Sequence, residues 1–216
     1  MIKNIFWDAD GVLTNLDAAY FAFLTKHPKY APEHANMEFS DLPKVMGINP
    51  ELGSLEMSEF SKEASNDFVH SEFFSEKWRP LYDGAREVIA ELGRSGFNQT
   101  LASGTHLPDE KRRVLEYYFG GLPIEIHVVE HEVFPDGKIR TDKEKMMREF
   151  MASHGWQLSE TAMIDDRFNN LRGAIKLGIQ PIRVKKGFST DLPADMKFVP
   201  EFNNYEELLK YLTEQK

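Results

Sequence analysis

Three times along this chain a short apolar run ends in a few polar residues and gives way to a stretch whose apolar positions recur at helical spacing. Ile2 to Trp7 is apolar and strand-prone, and it leads through Asp8-Ala9-Asp10-Gly11 into the helix-like stretch Leu16 to Leu24. Phe97 to Ala102 leads through Ser103-Gly104-Thr105 into a helix predicted from about Pro108 to Tyr118, since proline suits a first helical turn. Thr161 to Ile164 leads through Asp165-Asp166 into a helix predicted from about Asn169 to Leu177 and ended by Gly178. Apolar runs at Ile124 to Val129 and Gln180 to Val184 complete the set. Strands alternating with helices are wired as parallel strands joined by crossovers, so the chain is predicted to be α/β, a Rossmann-like parallel sheet with helices on both faces.

Between Thr14 and Pro80 the alternation fails. The segment is aromatic and helical in tone, broken at Pro28, Pro32, Pro43, Gly47, Pro50 and Gly53, and no strand-like run interrupts it. Roughly sixty residues is long for one crossover. Residues 15–79 are therefore expected to form an inserted α-helical domain, with 1–14 and 80–216 as the α/β core. Val133 to Ile139, around Asp136-Gly137, reads as a small hairpin.

Composition narrows the chemistry. A chain of 216 residues, 41% hydrophobic, can bury a substantial core. Its formal charge of -9 disfavours nucleic acid or an anionic membrane as partner, because no segment supplies a concentrated basic surface. With no cysteine, thiolate metal sites and cysteine nucleophiles are excluded, leaving carboxylates, hydroxyls, histidines and lysines. The apolar stretch before Asp8 is too short for a signal-peptide core or a membrane span, so a soluble cytoplasmic protein acting on a small molecule is expected, as monomer or homodimer.

Ligands of an open parallel sheet sit beyond the carboxyl ends of its strands, where the polar residues closing those strands converge. Here they are Asp8 and Asp10, Ser103 with Gly104, and Asp165 with Asp166, while Lys143 opens the helix before the last strand. These types suit phosphoryl transfer. Asp8 can attack phosphorus and form an aspartyl-phosphate. Asp10 can donate a proton to the departing oxygen and later take one from water. Several carboxylates repel a phosphate dianion unless a cation intervenes, and Mg2+ favours such oxygen ligands. Asp8, the carbonyl of Asp10, and Asp166 are candidate ligands. Asn170 lies one helical turn from Asp166, and Asp165 is either a ligand or a neighbour that orients one. Ser103 and the amides of Gly104 and Thr105 would hold phosphoryl oxygens at a helix N-terminus, with Lys143 neutralising charge. Lys145 is an alternative to Lys143. His106, His127, His131 and His154 show no metal-ligand spacing.

Read together, these segments resemble the haloacid dehalogenase-like hydrolases over nearly the whole chain. Asp8-Ala9-Asp10-Gly11-Val12-Leu13-Thr14 is similar to the family's first motif, and Arg79 to Gly84 followed by Gly96 to Gly104 is similar to the approach into its second. Lys143 fits the third-motif lysine, and Ile164-Asp165-Asp166 with Asn170, Ala174 and Gly178 resembles the fourth. The resemblance implies the same residue roles, and a helical cap over residues 15–79 that closes on the site and selects the substrate. It also implies a phosphatase, since dehalogenases of the family generally lack the second Asp of the first motif. Asn15 departs from the pattern, standing where many relatives carry an acid. Hydrolysis of a small phosphate monoester is the favoured function, with a phosphosugar mutase as alternative. A phosphorelay receiver is disfavoured because its acidic pair precedes its phospho-accepting Asp, the reverse of the order here.

Overall fold

The computed structural model describes residues 1–46, 48–51, 53–55, 62–133 and 139–215. The chain opens with β1 (Asn4–Trp7) and continues through α1 (Leu16–Lys26), α2 (Ala31–His34), α3 (Leu42–Met46), β2 (Ile48–Asn49), β3 (Ser54–Leu55) and α4 (Lys62–Val69). Next come α5 (Ala85–Arg94), β4 (Asn98–Thr105), α6 (Pro108–Phe119), β5 (Glu125–Glu130), β6 (Glu132–Val133), β7 (Ile139–Arg140) and α7 (Lys143–His154). The chain closes with β8 (Thr161–Asp165), α8 (Phe168–Leu177), β9 (Gln180–Val184), β10 (Glu201–Phe202) and α9 (Tyr205–Glu214).

Six strands form one sheet in the order β10-β9-β8-β1-β4-β5, and every pairing is parallel. Side chains alternate between two apolar layers, as the period of a strand requires. Ile5 and Trp7 of β1 join Leu101, Ile164 and Ile182 under α5, α6 and α9, while Phe6 joins Ala102 and Met163 under α7 and α8. Both faces are therefore covered, which is why these strands read as continuous apolar runs. Fully burying one such side chain contributes about 1.5–3 kcal/mol. Trp7 lies in the sheet centre without a polar penalty, because its indole N–H donates to Gln99 Oε1 at 3.1 Å.

From β1 the strand order runs outward in both directions, to β4 on one side and β8 on the other. The carboxyl end of β1 is thus the topological switch point, where ligands of open sheets bind. The α/β core of the prediction is present, with Pro108 at the start of α6 and Gly178 in the left-handed conformation behind α8.

Three features differ from the sequence expectation. The inserted segment contains a short antiparallel pair, β2 with β3, where no strand was expected. Two-residue strands are too short to leave an alternating pattern. A sixth strand, β10, extends the sheet beside β9 through Glu201 and Phe202. Finally, β4 runs on through Ser103, Gly104 and Thr105, which pair with Val128, Val129 and Glu130 of β5. The helix after it starts only at Pro108, so the amides of Gly104 and Thr105 lie in a strand and not at a helix N-terminus. The predicted hairpin turn at Asp136-Gly137 lies outside the described residues, although β6 and β7 pair antiparallel on either side of it.

The inserted segment gathers an apolar cluster that includes Tyr20, Phe23, Leu42, Met46, Phe68 and Phe74. The chain enters and leaves it side by side: Asn15 N–H donates to the Pro80 carbonyl at 2.8 Å, and Thr14 bridges Leu81. Among the described residues no helix is long and apolar enough to cross a membrane.

Candidate active site

Asp8 follows β1 directly, Asp165 ends the neighbouring β8, and Asp166 comes next, so three carboxylates from distant sequence share one strand edge. An oxygen of each lies within 4.8 Å of the others. All three residues are buried, Asp165 completely. The backbone of the first loop presses on them: Gly11 has φ 79°, and a Cβ there would lie 2.6 Å from Asp166 Oδ2. Only glycine meets both demands.

Lys143 enters from the first turn of α7. Its ammonium lies 2.7 Å from Asp8 Oδ1 and 2.9 Å from Asp165 Oδ2. Lys145, by contrast, is exposed and pairs with Glu132 at 3.0 Å. Burial by itself would lower the Lys143 pKa, but Asp165 and Asp8 outweigh it and hold the ammonium charged. Burial pushes the Asp8 carboxyl up to about 6, with Lys143 opposing and Asp165 and Asp10 adding to the rise. Asp166 is raised as well, first by burial and then by its neighbour Asp165.

The paired acids are treated differently. Asp165 accepts from the Arg167 backbone N–H at 2.9 Å and from the Asn170 amide at 3.1 and 2.9 Å, besides Lys143. Asp166 Oδ1 is buried with no hydrogen-bond partner. A bare carboxylate oxygen in low dielectric is costly unless a cation or donor completes it. One ammonium among three carboxylates leaves a deficit of positive charge, and the donors are all oxygen, so the residues fit a hard divalent cation. Asn170, a candidate ligand in the sequence, has its amide directed onto Asp165.

Asp10 sits at the same edge but is engaged elsewhere. Its Oδ1 accepts from Thr14 Oγ1 at 2.9 Å and from Arg79 Nη1 at 3.2 Å, while Oδ2 accepts from Lys111 Nζ. Burial would raise its pKa, but Lys111 and Arg79 together hold it well below the usual carboxylate range. Burial likewise lowers Lys111, to about 8, with Arg79 adding to the fall and Asp10 opposing it. Sequence reasoning missed both cations as site residues. Lys111 stands in the charged run Asp109 to Arg113, which reads as a solvated face, yet it shares a helical stripe with the buried Val114, Leu115 and Phe119. That spacing was the available signal. Ser103 is buried at the end of β4, and Gly104 beside it allows close approach, since a Cβ there would fall 1.5 Å from Thr141 Oγ1.

The model of the haloacid dehalogenase-like hydrolases matches residues 2–178. The chain belongs to this family. A 5'-nucleotidase of Pseudomonas aeruginosa is 26% identical over 196 residues, 87% of this chain and 85% of the relative. Among solved structures, a predicted phosphatase of Clostridium acetobutylicum aligns with TM-score 0.68 at 24% identity, covering 99% of both chains. A haloacid dehalogenase-like family protein of Streptococcus pneumoniae aligns with TM-score 0.67 at 18% identity, covering 98% of each. The fold shared with those two structures extends over nearly the whole chain.

A small, partly open cleft of about 30 Å³ adjoins Asp10 and Asp166, walled on the other side by Leu16, Tyr20, Leu42 and Met46 of the inserted segment. Asp17 of α1 also faces it. Burial pushes the Asp17 carboxyl up to about 6, a rise that the Phe188 backbone N–H and Arg167 partly offset. A raised carboxyl binds more protons folded than unfolded, so it costs stability as pH climbs from about 4 towards 6, and that cost persists above. Asp17→Asn is therefore expected to stabilise the protein at pH 7 by on the order of 1–3 kcal/mol and to change nothing below pH 4. Urea unfolding of both proteins at the two pH values, in chelator, measures the difference.

Proposed function

We propose that this hydrolase is a magnesium-dependent phosphatase that cleaves a small phosphate monoester through an aspartyl-phosphate on Asp8. One observation carries the reading above the rest. At the switch point of the sheet, Asp8 shares Lys143 with Asp165 while Asp166 keeps an uncompensated oxygen beside it. Such an arrangement is built to receive positive charge and then a phosphate.

Asp8, Asp166 and the Asp10 carbonyl would hold Mg2+, with Asp165 beside them. When bound, the ion offsets the negative charge of the phosphate and of the surrounding carboxylates. An Asp8 oxygen forms a bond to phosphorus as the bond from phosphorus to the substrate oxygen breaks. The departing oxygen takes a proton from Asp10. Water then gives its proton to Asp10, attacks the phosphorus of the aspartyl-phosphate, and releases inorganic phosphate and Asp8. In the resting arrangement Asp10 is a carboxylate, the form needed for the second step. An approaching phosphate dianion raises its proton affinity and prepares the first. Ser103 and Lys143 contact the transferring phosphoryl oxygens.

Residues 15–79 act as a helical cap. The cleft beside Asp10 has room for about 30 Å³ between the core and residues of this segment, so opening of the cap admits a metabolite. The curated relative is a 5'-nucleotidase, which puts nucleoside 5'-monophosphates first among the substrates to try. A panel of nucleotides, phosphosugars and short phospho-acids, followed by phosphate release with and without Mg2+, tests the reading; absence of metal-dependent release from all of them overturns it. Conversion of a phosphosugar to its isomer without phosphate release would favour a mutase.

The two candidate lysines make a paired prediction. Lys143→Ala is expected to lower kcat by about 10²–10³-fold, the usual loss of a charge-stabilising donor. Lys145→Ala, which removes only an exposed ion pair, should leave kcat within about two-fold. Steady-state kinetics on one substrate from the panel decides between them.

A further inference from the structure

The carboxylate of Asp10 is held by more of the protein than a loop residue ordinarily meets. Its partners come from three places: Thr14 in the same loop, Arg79 where the inserted segment ends, and Lys111 on α6. Arg79 is in turn fixed from α6. Tyr118, two turns beyond Lys111 on the same helical face, shares its one hydroxyl proton between the Glu76 carbonyl at 2.7 Å and the Arg79 carbonyl at 2.8 Å. The Arg79 guanidinium also lies 4.2 Å over the Phe74 ring.

We propose that Arg79 and Lys111 are positioning residues for the reaction: together they set the orientation of the Asp10 carboxylate, with Tyr118 holding Arg79 in place. This rests on the reading of Asp10 as the group that handles the proton. Both cations are fully buried, so their charges are withdrawn from water. Two cations serve one carboxylate, and Arg79 Nε and Nη2 are buried without an acceptor. As a device for stability alone this is poor, because well-packed apolar residues of similar volume often replace buried ion pairs without loss. As a device for orientation it is effective. Donors occupy both oxygens of Asp10, so its carboxylate cannot rotate freely, and proton transfer at a reacting centre depends steeply on such placement.

The test uses two esters that differ in their need for a proton. An alkyl phosphate releases an alkoxide that must be protonated; a nitrophenyl phosphate releases a phenolate that leaves unaided. For Lys111→Met, kcat on the alkyl ester is expected to fall about 100-fold with KM within about three-fold, the scale of general acid–base catalysis. On the nitrophenyl ester the first step survives while hydrolysis of phosphorylated Asp8 slows. A burst of nitrophenolate, one equivalent per enzyme, should then precede slow turnover. Tyr118→Phe, which removes one hydroxyl and keeps the ring, should show the same burst with a loss of about five-fold, and Lys111→Arg should recover most of the rate. A purely structural role would slow both esters equally and give no burst. Equal losses without a burst, or unchanged kinetics in a folded Lys111→Met or Tyr118→Phe protein, overturn the proposal. The alkyl ester is one that wild type hydrolyses in the substrate panel; if no member of that panel is turned over with Mg2+, the phosphatase reading fails first and this role falls with it.

Discussion

Asp8→Asn is expected to abolish Mg2+-dependent phosphatase activity, a loss of at least about 10⁴-fold in kcat, while the protein stays folded. An amide of the same size keeps the packing at the end of β1 but supplies no anionic oxygen to attack phosphorus. The burial that pushes the Asp8 carboxyl up to about 6 disfavours its charged form, and a neutral amide escapes that cost. Without metal, the substituted protein should therefore unfold at or above the wild-type temperature at pH 7. Lys143 keeps Asp165 as partner, so no ammonium is left alone. Turnover together with a thermal melt measures both halves of the prediction. Undiminished turnover would remove Asp8 as nucleophile.

Removing the metal, or the carboxylate with the bare oxygen, is expected to be nearly as severe. A chelator should suppress turnover by at least about 10³-fold and added Mg2+ should restore it, since the phosphate would otherwise face the clustered carboxylates of Asp8, Asp165 and Asp166. Asp166→Asn should reproduce the loss without rescue by Mg2+. The same substitution should stabilise the metal-free protein at pH 7, because burial and Asp165 hold the Asp166 carboxyl well above its ordinary range. The sign follows from proton binding: the folded state holds a proton that the unfolded state gives up, so stability falls as pH rises past the unfolded value near 4. The gain from Asp166→Asn should accordingly vanish below pH 4. Melts in chelator across that range, beside melts in Mg2+ where wild type gains and the variant does not, check it. A wild-type melting temperature indifferent to Mg2+ would sink the metal site.

The strands and most helix limits of the core were legible because they depend on local patterns. Apolar runs long enough to cross a sheet, a proline at a first turn and a glycine behind a last one act within a few residues. The strand-end acids were legible for the same reason: Asp8, Asp165 and Asp166 need only follow strands whose carboxyl ends share an edge. The weak points were those where pairing overrides local composition. Ser103-Gly104-Thr105 reads as a loop, yet β5 offers partners and β4 continues through it.

By itself, then, the sequence determined the fold class, the edge of the sheet where chemistry gathers, and the carboxylates placed there. Tertiary structure alone decided which charges meet. Lys143 and Lys145 stand two residues apart on one helix, about 200° around its axis, so one reaches Asp8 and the other Glu132. Nothing local separates them. Arg79 and Lys111 reach Asp10 across 69 and 101 residues of chain, and the Asn170 amide turns to Asp165. Strand and helix periodicity is a property of neighbours, whereas an ion pair between distant segments depends on packing that brings their backbones together. A charged residue in a charged run carries no mark of the partner it will find.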